Sequence, residues 1–149
     1  MYDQIAGLRC GMIILISTLL LSLSFAIRAS DQEGTSTVAD QMKAMNQSFR
    51  ELRRHLDDPT RIEANLALIG KMKQRLLAAR KKRPLRTTDL AESEQASFLA
   101  AYQALLDEVV ATLGKLETAL EEKKWEEASG LVKELNKLKK EGHGKFQKE

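Results

Sequence analysis

Residues 99–120 read LAAYQALLDEVVATLGKLETAL. Within them Leu99, Tyr102, Leu106, Val109, Leu113, Leu116 and Leu120 recur at alternating steps of three and four. That interval marks one face of an α-helix, whereas a half-buried strand would alternate every second residue. A helix of this length covers roughly 30 Å, and its apolar stripe needs partners of similar length. The rest of the chain is read for those partners.

It supplies three. Val38, Met42, Met45, Phe49, Leu52 and Leu56 repeat at the same alternating interval. Thr37 and Asp40 stand at the spacing of a capping box in front of them. Asp57-Asp58-Pro59 closes this segment, because the residue before a proline is pushed out of the α region. The next stripe is Ile62, Leu66, Ile69, Met72 and Leu76, with Leu68 and Leu77 beside it. Thr60 and Glu63 offer a second capping box, and the helix is expected to stop near Lys82-Arg83, ahead of Pro84. Asp89 with Glu92 offers a start for the helix containing residues 99–120. A turn around Glu122 to Lys124 leads to Trp125, Ala128, Val132, Leu135 and Leu138, with a weaker continuation to Phe146. Four amphipathic helices with short connections bury their stripes most simply as an all-α, antiparallel up-down-up-down four-helix bundle. Residues 30–149 are expected to form it as one domain.

Composition agrees. Hydrophobic residues are 43% of the 149-residue chain, aromatics 5%, and there are two prolines and eight glycines. This favours long helices over a turn-rich β-sandwich. One cysteine and two histidines exclude a disulfide framework and a zinc finger. A net charge of +3 is too small for a dedicated nucleic-acid binder.

The first 29 residues read as an address. Arg9 precedes an uncharged apolar run from Met12 to Ile27, and Arg28-Ala29-Ser30 follows. A positive start, a short apolar stretch and small residues at its end are the pattern of a cleavable secretory signal peptide. The run is shorter than the roughly 20 residues that a membrane span needs. Cleavage is expected after Ala29. It removes Cys10 and leaves a periplasmic chain without thiol chemistry, with no stable membrane anchor.

Conventional enzyme motifs are missing from the sequence. There is no Glu-x-x-His pair, Gly-rich phosphate loop, nucleophile elbow or His-Glu-x-x-His motif. The protein is therefore not expected to be an enzyme. His55 falls on the polar flank of the first helix and reads as a solvated residue. His143 falls at the margin of the apolar face of the last helix. In an up-down-up-down bundle the start of the first helix and the end of the last share one end, so Met42 and His143 stand at nearly the same level. A thioether facing an imidazole is a donor pair that haem iron accepts axially.

These residues carry a resemblance. The segment Ala39-Asp40-Gln41-Met42-Lys43-Ala44-Met45-Asn46 resembles the opening helix of the soluble cytochrome b562 family, with the axial methionine at Met42. Glu122 to Gln147 resembles the family's closing helix without a gap, with the axial histidine at His143. Met72 and Pro84 match a methionine of the second helix and the proline after it. The likeness covers essentially the whole mature chain. It implies a periplasmic b-type cytochrome that binds one haem b per chain non-covalently, uses Met42 and His143 as iron ligands, and passes single electrons to an unidentified redox partner protein. It further implies that Met45, Phe49, Leu77, Tyr102 and Leu106 line the pocket. Leu106 stands where the family carries an aromatic. Absence of Cys-x-x-Cys-His separates the chain from covalently loaded bundles. The alternatives are a haem-free, stress-related or chaperone-like helical protein of the periplasm and a haem-trafficking or haem-sensing protein.

Two local features remain. Arg80-Lys81-Lys82-Arg83-Pro84-Leu85-Arg86 reads either as a positive collar for haem carboxylates or an acidic partner, or as bases ending one helix opposite acids that begin the next. Gly142 and Gly144 flank His143, and each glycine inside a helix costs roughly 0.5–1 kcal/mol relative to alanine. The helix is expected to run through both when haem is bound, to fray first without it, and to gain stability when both become alanine.

Overall fold

The computed structural model describes residues 36–147. The expected signal peptide and its cleavage site lie outside these residues. Helix α1 spans Val38–Arg54, α2 Ile62–Arg80, α3 Glu92–Glu121 and α4 Trp125–Phe146, with 3₁₀ turns at Pro59–Arg61 and Leu85–Asp89. The described residues contain no strand.

Helix α1 begins where its sequence provides a cap. The Asp40 amide donates to Thr37 Oγ1 at 3.1 Å, and the Thr37 amide donates to Asp40 Oδ2 at 2.8 Å. The Thr37 amide, and the Thr37 hydroxyl that donates to the same oxygen at 2.8 Å, hold the Asp40 carboxyl below the usual carboxylate range. Met45, Phe49 and Leu52 of its stripe are buried, while Val38 and Met42 are half-buried.

The helix ends depart from expectation at four places. α1 stops at Arg54, ahead of the Asp57-Asp58-Pro59 break. Thr60 does not cap α2: its amide and hydroxyl both donate to Asp58 Oδ1, at 2.9 and 2.6 Å, and so build the 3₁₀ turn instead. Buried Asn65 then fastens this turn by donating from Nδ2 to the His55 carbonyl at 2.9 Å. α2 stops at Arg80, and α3 starts at Glu92 after Ala91, without a side-chain cap from Asp89.

Cross-helix pairs fix the directions. Arg61 meets Glu51 at 3.3 Å and Arg75 meets Gln41 at 3.4 Å, so α2 runs back along α1. Lys73 pairs with Glu117, and Arg80 grips Asp107 through two bonds of 2.6 and 3.0 Å, so α3 runs back along α2. The Phe146 ring packs edge-on against Phe98 and Tyr102, with centroids 5.1 and 5.4 Å away, which sets α4 antiparallel to α3. The antiparallel bundle expected from the four stripes is therefore present. Leu52, Ile69, Leu116, Leu120 and Ala128, one or more from each helix, are fully buried at its centre.

Candidate functional site

The sequential helices pack along their lengths, whereas α1 and α4 do not. A cavity of about 530 Å³ opens between these two and is backed by α2 and α3. This volume lies within the range of small-molecule and cofactor sites, roughly 300–1,000 Å³. It arises at the end of the bundle where α1 begins and α4 finishes, the end where topology places Met42 and His143.

Both residues line it. Met42 is half-buried, just beyond the capped first turn of α1, and exposed His143 stands on the last turns of α4. α4 runs unbroken through Gly142 and Gly144 to Phe146, so His143 keeps its helical angle. Met45, Phe49, Tyr102 and Leu106 line the same cavity and are buried. The Tyr102 hydroxyl is turned away to a use of its own, donating to the Ala79 carbonyl at 3.2 Å. Burial pushes its pKa up to about 12.

Leu77 is a correction. It is 47% exposed and takes no part in the lining, where Leu76 stands instead at 1% exposure. One residue is about 100° of helix rotation, which carries Leu77 from the inner face to the outer. The step from Met72 to Leu76 is one helical turn, and it was the signal that favoured Leu76. Of the two readings of the basic run, the contacts favour the structural one. Its cations tie elements together: Arg80 to Asp107, Lys82 to the Ser36 carbonyl, Arg83 to Gln95, and Arg86 to the end of α4. Only Pro84 and Leu85 of that run reach the cavity.

A different set of cations does so. Lys43, Arg50 and Lys139 are the charged side chains in the lining among the described residues, and all three are basic. Lys43 and Arg50 are two turns apart along one edge of α1; Lys139 lies one turn before His143 on α4. Asn46, between the two α1 cations, also lines the cavity and has a buried Oδ1 without a hydrogen-bond partner. Periodicity directs attention to apolar stripes, so this basic margin was not read from the sequence. The i, i+7 spacing of Lys43 and Arg50 was the available signal.

The donor set limits what the site can hold. Among the described residues no group of three or more His, Cys, Asp or Glu could hold a metal ion. The lining's other two thioethers, Met45 and Met72, are buried in the wall, and Met42 and His143 alone are too few to fix a bare ion, which takes four or more ligands. They suit a metal that arrives with equatorial donors of its own, inside a flat apolar frame that the leucine walls can cover. A polar edge on that frame would meet the three cations and Asn46. Haem has these properties, and the residues present fit it.

The fold and cavity define a class: four-helix bundles with a cavity between their first and last helices. The family model for cytochrome b562 matches residues 37–147, and the chain belongs to that family. Its members are small electron carriers that bind haem b non-covalently, and they are not enzymes. No curated protein and no solved structure gives a significant match to the chain.

Proposed function

We propose that this protein is a periplasmic cytochrome that holds one haem between α1 and α4, with Met42 and His143 as axial ligands, and transfers single electrons. The observation that carries the reading is the cavity that Met42 of α1 and His143 of α4 both line, in a chain from this family. Bound haem supplies an iron that gains and loses one electron. The chain's residues do the rest. Met42 offers a soft thioether, which favours the reduced metal, and His143 offers the stronger imidazole donor. Leu76, Leu106, Leu113 and Leu135 keep water from the interior face of the site, and Lys43, Arg50 and Lys139 meet the carboxylates at its edge. Export is supported by the apolar run Met12–Ile27 behind Arg9.

Reconstitution with haem followed by absorption spectroscopy tests the reading. Wild-type protein is expected to take up one haem and show a low-spin spectrum in both redox states. His143→Ala should abolish low-spin binding. Met42→Ala should leave a five-coordinate or water-ligated haem with a lower reduction potential, because a thioether favours ferrous iron. Wild-type spectra from both variants would eliminate this ligand pair.

A further inference from the structure

The last turn of α4 has a support that comes from another part of the chain. The final four carbonyls of a helix have no donors from the helix interior. In α4 these belong to His143, Gly144, Lys145 and Phe146. The His143 carbonyl accepts from the Gln147 amide at 3.2 Å. The carbonyls of Gly144 and Lys145 both accept from one terminal nitrogen of Arg86, at 3.0 Å each. That nitrogen carries two hydrogens, enough for both. A guanidinium here is also favoured by the negative end of the helix dipole.

Arg86 delivers these bonds from a fixed base. It sits in the 3₁₀ turn Leu85–Asp89, between buried Pro84 and buried Thr87. The Thr87 amide donates to the Pro84 carbonyl at 3.0 Å, and the Thr88 hydroxyl donates to the Leu85 carbonyl at 2.8 Å. Pro84 and Leu85 are themselves part of the cavity wall. The turn that grips α4 and the wall that closes the cavity are thus one piece of chain. Gly144 lies in the gripped turn and Gly142 just before it, and both weaken the turn's own hold on helical geometry.

We infer that Arg86 is a positioning residue for His143: it clamps the last turn of α4 against the α2–α3 connection, and the cofactor enters and leaves when this clamp opens. The second half rests on the proposed haem site; the clamp itself does not. A glycine-flanked turn left to itself would sample non-helical states, and the imidazole would leave the cavity wall with it. The clamp replaces the missing helix propensity by two charge-assisted bonds from a distant, rigid segment.

The test compares the wild type with Arg86→Gln and Arg86→Lys in two measurements. Amide hydrogen exchange of the haem-free full chain should show at least tenfold loss of protection in R86Q, confined to residues 139–147, with R86K recovering most of it. Haem release into an excess of apomyoglobin should be at least tenfold faster in R86Q than in the wild type, and close to wild type in R86K. Unchanged protection in R86Q overturns the clamp. Lost protection with unchanged release overturns its role in cofactor exchange. Failure of the wild type to bind haem would sink the proposed function, while the exchange measurement would still decide the clamp.

Discussion

At the scale of single residues, the two glycines beside His143 look alike in sequence and differ in space. A Cβ added at Gly144 meets nothing within 4 Å, whereas one added at Gly142 would sit 3.0 Å from Leu105 Cδ2. Gly144→Ala should therefore add about 0.5–1 kcal/mol to stability, the usual gain for alanine over glycine in a helix. Gly142→Ala should add less and should lower haem affinity, because the displaced Leu105 methyl lies in the cavity wall. Denaturant unfolding and haem titration of the two single variants check this, and equal gains would refute the distinction. The sequence offered no means of separating them, since the distinction depends on how closely α3 and α4 approach. Tyr102 is a second case: its place on the stripe was legible, its bond to the Ala79 carbonyl was not. With a folded pKa of about 12 against about 10 in the unfolded chain, burial holds the phenol neutral. The stabilisation tied to this group is fully present below pH 10 and is lost as pH rises from 10 towards 12. Tyr102→Phe should cost about 1 kcal/mol at pH 8 through the lost hydrogen bond. The difference between the two proteins should then shrink above pH 10, and a constant difference from pH 8 to pH 11.5 would argue against a buried phenol.

At the scale of elements, stripes located all four helices, whereas their ends followed chemistry that stripes do not encode. The capping box at Thr37 and Asp40 was readable because both partners lie three residues apart. Thr60 was misread because Asp58, two residues earlier, competes successfully for the same amide. The α3–α4 turn shows the opposite situation, a stop without its usual residue. The Lys124 amide donates to the Ala119 carbonyl at 2.8 Å and the Lys123 amide to the Leu120 carbonyl at 3.1 Å, the bond pair of a Schellman motif. Its left-handed position is held by Lys123, at φ 59°, where glycine is the common choice. A residue with a Cβ pays roughly 1–2 kcal/mol for that conformation. Lys123→Gly should accordingly raise stability by about 1 kcal/mol, with no change in haem spectrum, because the turn lies at the far end of the bundle from the cavity. Thermal unfolding measures it, and a lower melting temperature would mean that the lysine side chain contributes more than its backbone costs.

At the scale of the whole molecule, the direction of each helix follows from short connections, and so did the meeting of Met42 with His143 at one cavity. The cavity itself was not legible. Its existence depends on α1 and α4 standing apart at one end, a property of the assembled bundle that no local pattern contains. Its charge was hidden for a related reason: Lys43, Arg50 and Lys139 come from two helices nearly a hundred residues apart and look like ordinary solvated cations along the chain. Brought together, they place positive charge around an apolar chamber, with the unpartnered oxygen of the Asn46 amide beside them. Turning that amide over would offer Nδ2–H to an anion. A ligand with an apolar body and carboxylates at one edge matches this distribution, and an uncharged relative of the same shape matches only its interior. Haem should therefore bind more tightly than haem dimethyl ester. Each partly exposed cation contributes about 0.2–1 kcal/mol, so the three together set a difference of roughly threefold to a hundredfold at low salt. The advantage should shrink as salt rises, since the mouth of the cavity is open to screening ions. Charge reversal by Lys43→Glu with Arg50→Glu should weaken haem and leave the ester nearly unaffected. Titration of both ligands at low and high ionic strength decides the matter. Equal affinities for haem and ester at low salt would show that these cations do not meet the carboxylates, and that the cavity selects its ligand by the leucine walls and the Met42–His143 pair alone.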